Sequence, residues 1–158
     1  MIVPWLTPIV ESVEVAGVKL SFKALEAAKG KADEAGLLSP IEEVEYPKYS
    51  FQSIAKEDPN LALAALRLEI EKRLNLLAET QGLSIRGNKG IGSLMKSLQR
   101  EGIITNEQQS VLADMIGLLN GAVHGAKVDE RAAEWAVEVG PRLLQSLDNR
   151  IDSKAPIR

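Results

Sequence analysis

The chain has 158 residues, of which 45% are apolar and 26% charged, and a formal net charge of −3. That is enough chain for one domain with a proper core, and the acidity excludes a strong overall nucleic-acid footprint. There is no cysteine and a single histidine, so disulfides and thiolate metal sites are excluded; no metal and no cofactor is expected.

Aromatic residues make up 4%, which leaves a core of Leu, Ile, Val and Ala and favours helices. No run approaches the ~18 apolar residues of a membrane span, so no membrane contact is expected and a cytoplasmic, reducing setting suits the composition. Met1 to Val10 is apolar but short, lacks a basic flank and carries Pro4 and Pro8, which is not a signal-peptide pattern.

Three stretches organise the chain: residues 1–57, then 58–152, then a tail over 153–158. Residues 9–22 alternate apolar and polar around Ala16-Gly17, the pattern of a short β-hairpin. The run 23–37 reads as a peripheral helix with a thin stripe of Leu25, Ala28, Ala32 and Ala35, weakened by Gly30. Residues 38–56 hold Pro40, Pro47 and the acidic Glu42, Glu43 and Glu45, and read as an irregular linker anchored by Tyr46, Tyr49 and Phe51.

The strongest helix starts at Asp58-Pro59, a preferred cap followed by the residue favoured in the first turn. Leu63, Leu66, Ile70, Leu74 and Leu77 form its stripe, and Leu61, Ala65, Leu68 and Leu76 widen it to more than one face. A helix so apolar belongs at the centre of a bundle. Arg67 with Glu71, and Glu69 with Arg73, stand four residues apart on it. So little solvent face is left that one pair is expected toward the interior, and Arg67–Glu71 is taken as the buried polar pair.

Residues 83–90 are glycine-rich but lack the spacing of a phosphate-binding loop. Net charge is −4 over residues 1–80, +2 over 81–128 and −1 over 129–158. The basic stretch supplies Arg86, Lys89 and Lys96 as candidate RNA or nucleotide contacts, against the plainer reading of a solvated face. Ile91 to Arg100 reads as a short helix with Leu94, Met95 and Leu98 inward.

Thr105 with Gln108 then makes a capping-box pattern ahead of Leu112, Met115, Ile116, Leu119 and Val123. Asn120 and His124 stand one turn apart on that helix, with Gly125 a natural stop. Asp129 is expected to cap the final helix, whose stripe is Ala132, Ala136, Val139, Leu143 and Leu147, with a kink at Gly140-Pro141. The fold class is therefore all-α: an up-and-down bundle of about four core helices, preceded by the hairpin and the peripheral helix.

In their order and spacing, LALAALRLEIEKRLNLLAETQGL, LMKSLQREGIIT, MIGLLNGAVHG and DERAAEWAVEVGPRLL resemble the HEPN superfamily, and more closely an uncharacterised bacterial branch of HEPN-like helical domains. The match spans about residues 58–147. Arg67 and Glu71 fall on an Arg-three-residues-Glu pattern of those domains, and Asn120 and His124 fall on the Asn and His of the signature helix end. The resemblance implies a homodimer joined through the His-bearing helices, and a place in a bacterial defence or stress system.

Catalytic members are metal-independent ribonucleases with an Arg shortly before the His. Here those positions are Gly117, Leu118 and Leu119, and none is basic. The expectation is a non-catalytic or degenerate HEPN-like domain that acts as a dimeric interaction or sensor module with an unknown protein partner. The alternative is a ribonuclease with a rearranged site: His124 for proton transfer, Asn120 as orienter, and Arg67 or Arg86 as the cation.

Overall fold

Caps and stops written in the sequence set most helix ends. The computed structural model describes residues 19–20, 22–40, 49–83, 90–128 and 130–154. Among them are six helices and one pair of two-residue strands: β1 (Lys19–Leu20), α1 (Phe22–Glu34), α2 (Ser50–Ile54), α3 (Pro59–Thr80), α4 (Ile91–Arg100), α5 (Asn106–Val123), β2 (Lys127–Val128) and α6 (Glu130–Lys154). The all-α class is as expected. No helix among the described residues is long and apolar enough to cross a membrane.

Asp58 caps α3 by accepting the Leu61 N–H at 3.0 Å, with Pro59 in the first turn. The Thr105–Gln108 capping box opens α5: the Thr105 hydroxyl accepts the Gln108 N–H and the Gln108 amide oxygen accepts the Thr105 N–H, both at 3.0 Å. The cap and the box satisfy backbone donors that have no partner within the helix.

Helix α3 is the central element. Its Leu63, Leu66, Ile70, Leu74 and Leu77 are wholly buried. It packs most extensively on α6 and next on α5, with α4 bridging α3 and α5, and α1 lying over α5 and α6. Burying leucine side chains of this kind is worth about 1.5–3 kcal/mol each, so the α3 stripe is a large source of stability, beside the wholly buried Val139, Leu143, Leu144 and Leu147 of α6.

Three expectations change on contact with the structure. The first strand and turn of the hairpin lie outside the described residues. From its second strand, Lys19 and Leu20 pair in parallel with Lys127 and Val128, and Phe22 already belongs to α1. The linker holds a helical turn, α2, because Phe51 is driven into the core at 0% exposure. Helix α6 continues to Lys154, two residues into the stretch expected as a tail, and the remainder of that stretch lies outside the described residues.

Gly140-Pro141 lies inside α6, which continues past it to Lys154. A residue before proline is normally pushed out of the helical region because its Cβ meets the proline ring. Gly140 has no Cβ. A Cβ there would also lie 3.0 Å from Phe51 Cζ and 3.1 Å from Leu66 Cδ1, so the bare backbone lets α2 and α3 close onto α6. Ala136 and Val139 before the proline and Leu143 and Leu147 after it are all buried, and that packing holds the helix through it. The Asp129 cap lies outside the described residues.

Candidate functional site at the end of helix α5

Asn120 sits in the last turn of α5 at the boundary with α3, and His124 is the residue that closes the helix. The His124 N–H donates to the Asn120 carbonyl at 3.0 Å, the Ala126 N–H donates to the Gly121 carbonyl at 2.9 Å, and Gly125 takes φ +82°. That is the left-handed residue a helix uses to turn out of its last turn, and glycine adopts it without strain.

Two further ties hold the chain that follows. Asn60, on the first turn of α3, donates its amide N–H groups to the Ala122 carbonyl at 3.1 Å and the Ala126 carbonyl at 2.8 Å. The strand pair β1–β2 fixes the next residues. The helix end that carries Asn120 and His124 is thus clamped from both directions.

Arg67 reaches across from α3. Its Nε–H donates to the Asn120 side-chain oxygen, and its Nη1 donates to Glu71 Oε2 at 3.1 Å. Asn60, Arg67 and Glu71 are seven and four residues apart, so they share the side of α3 that faces α5. The Arg67 and Glu71 side chains keep 20% and 37% exposure. The pair forms as expected but stands at the edge of the interior rather than within it.

His124 is exposed, and its imidazole makes no hydrogen bond among the described residues. The structure therefore brings Arg67, Glu71 and Asn120 into one bonded group, with His124 one turn away and unbonded. Among the basic candidates, Lys96 is exposed on α4, while Arg86 and Lys89 lie outside the described residues.

This group can orient a carboxamide and present a guanidinium at an accessible edge. Its cation is already balanced by Glu71, so attraction for an anion is weakened where it would be needed. A separate open groove of about 640 Å³ lies between α2 and the N-terminal half of α6, with Lys56, Pro59, Glu134 and Val137 in its walls. None of the sequence-identified candidates lines it.

A second polar centre lies on the opposite flank of α3. Arg73 donates through Nη1 to Glu69 Oε2 at 2.5 Å and through Nε to Asp148 Oδ1 at 2.8 Å, and its guanidinium stands 5.4 Å from the centre of the Tyr49 ring. Burial alone would lower its pKa, but hydrogen bonds to Glu69 and Asp148 outweigh that and raise it. A third centre joins three helices through Gln108: its Nε2 donates to the Ala35 carbonyl at 2.9 Å, and Arg150 Nη1 donates to its Oε1 at 3.2 Å.

The sequence reading missed Asn60, the bond from Arg73 to Asp148, and the outer role of Gln108. Asn60 had one legible signal, its seven-residue step to Arg67 on the α5 side of α3. Asp148, Ala35 and Arg150 are distant in sequence from the residues they meet, and spacing does not carry such contacts. No known family model matches the chain, and neither the curated proteins nor the solved structures hold a match to it.

Proposed function

We propose that this chain is a non-catalytic, HEPN-like up-and-down helical bundle that works as a homodimeric interaction or sensor module. One observation carries the reading: the only guanidinium bonded at the Asn120 end of α5, among the described residues, is shared between Asn120 and the Glu71 carboxylate. Metal-free RNA cleavage needs a proton acceptor, a donor and a cation free to meet the charge that develops on the phosphate. Here the cation is paired, and no side-chain bond among the described residues sets the direction of the His124 imidazole. Leu61 and Leu68, on the same face of α3, are exposed and give support of a second kind, since apolar side chains held together in water favour association.

The test is direct. Folded protein incubated with a broad RNA panel in EDTA should leave the RNA intact, and sedimentation at micromolar concentration should report a dimer. Cleavage lost in His124→Ala would overturn the non-catalytic reading.

A ribonuclease with a rearranged site is the second reading, and one feature favours it: α3 delivers Arg67 to the Asn120 side chain, one turn from His124, where α5 itself has no basic residue. In that case Glu71→Gln would free the guanidinium charge and raise cleavage, and His124→Ala would abolish it. A Glu71→Gln protein as inert as the parent counts against it.

A further inference from the structure

The outer face of α3 is apolar where water should favour polar side chains. Leu61 is 53% exposed, Leu68 61% and Leu76 39%, and they lie on the side of the helix opposite the buried Leu63, Ile70 and Leu77. Ala64 and Ala65 sit between Leu61 and Leu68. Residues i, i+3, i+4 and i+7 frame a hole on a helix surface, and two small residues at its waist leave room for a leucine from another helix.

Placing Leu68 of a second α3 into that hole, with the two helices antiparallel, sends Leu61 in turn over the Leu68, Glu71, Lys72 and Asn75 positions of the second copy. The two-fold relation makes each fit imply the other.

The charges choose the same direction. The turn just before α3 carries Glu57 and Asp58, and the far part of the helix carries Lys72 and Glu79, all exposed. The antiparallel register brings Lys72 level with the first turn of the second copy's α3, within about one helical turn of Glu57 along the axis. A parallel pairing would set Lys72 beside Lys72 and Glu57 beside Glu57, which repels.

We infer that the Leu61–Leu76 face of α3 is the surface on which a second copy of this chain docks, antiparallel, with Leu68 as the central knob. This rests on the dimeric part of the proposed function, and it places the seam on α3 rather than on the helix that bears His124.

The test uses the full chain in sedimentation equilibrium, with circular dichroism as the control for folding. The parent protein should dimerise at micromolar concentration. Leu68→Glu should raise the dissociation constant about a hundredfold or more, because a carboxylate would be buried without a partner, while the helical signal and melting of the monomer persist. Leu68 is exposed in the single chain, so the substitution spares the core; Leu61→Lys repeats the test at the neighbouring position.

Lys72→Glu should weaken the dimer about tenfold, and adding Glu57→Lys should restore it. A Leu68→Glu protein that still dimerises overturns this face and leaves the dimeric reading standing. A monomeric parent overturns both, while the absence of RNA cleavage would still support the non-catalytic reading. A double charge exchange without recovery overturns the antiparallel register.

Discussion

Helix α3 carries two arginine–glutamate pairs with the same four-residue spacing, and the structure treats them differently. Arg73, on the α6 flank, has a 12% exposed side chain and meets a second carboxylate, Asp148, together with the face of Tyr49. Arg67, on the α5 flank, is 20% exposed and takes as its additional partner a neutral carboxamide, Asn120. Spacing along a helix sets which residues can pair; what the neighbouring helix offers sets what the pair is for. A cation between two carboxylates is a fastener. A cation between one carboxylate and an amide, at an open edge, remains accessible to something else.

The contrast is broken most easily at Arg73. Arg73→Ala leaves Glu69 and Asp148 facing each other without their shared cation. It should cost about 2–3 kcal/mol, below the full figure for an enclosed pair because the carboxylates keep about a third of their exposure. Urea denaturation measures it, and a loss no larger than that of Arg67→Ala would show that the two flanks do not differ.

Asn60→Ala comes next. It removes the donors to the Ala122 and Ala126 carbonyls and should cost about 1–2 kcal/mol. The local readout sharpens the comparison: hydrogen exchange at the Ala126 amide should speed up while amides in the middle of α3 stay protected. Equal acceleration along α3 would mean that Asn60 acts on the whole core rather than on the helix end.

Arg67→Ala should cost the least of the three, about 1 kcal/mol, since Asn120 and Glu71 are wet enough to be rehydrated. An Arg67→Lys protein keeps the charge but loses the planar fork that serves both partners. It should therefore behave as Arg67→Ala in stability. Full recovery with lysine would mean that charge alone matters at this flank.

The interior face was legible because leucines at three- and four-residue steps have one physical cause, burial of a stripe, and Leu63, Leu66, Ile70, Leu74 and Leu77 all lie inside. The caps at Asp58 and Thr105 were legible for the same reason: each acts within four residues of itself. Asn120 and His124 were legible as a candidate pair with Arg67 or Arg86 as its cation; that Arg67, 53 positions away, is the residue bonded to Asn120 was not, because spacing does not carry contacts between helices. The outer leucines were read as widening the buried stripe of α3, whereas Leu61 and Leu68 face solvent. Apolar character alone does not distinguish a core contact from a docking contact. Pro141 lies within α6 rather than at its end: Gly140 has no Cβ to meet the proline ring, and the core around both halves keeps the helix continuous.

The smallest expected effect concerns pH. Tyr49 is part-buried and stacks on Phe51, with ring centres 5.5 Å apart. Its burial pushes the phenol above its ordinary value of 10.0, and the nearby Arg73 charge pulls it partly back. A group whose pKa is higher in the folded state gives up its proton more readily when unfolded. Its stabilising contribution is thus complete below about pH 10 and is lost as pH rises through the folded value. Lys29, raised chiefly by its hydrogen bond to Glu138, acts in the same direction.

Stability measured from pH 9 to 11 should therefore fall, and Tyr49→Phe, which keeps the ring stack and removes only the hydroxyl, should flatten part of that fall. In an Arg73→Ala background the cation that restrains the phenol is gone. The Tyr49 contribution should then persist to higher pH, so the two residues report on one another across the α6 flank. Arg67→Ala should leave the alkaline limb as it was, because neither a phenol nor an amine is bonded to Arg67. An alkaline limb that shifts with Arg67 and not with Arg73 would reverse the assignment of the fastener and the accessible cation.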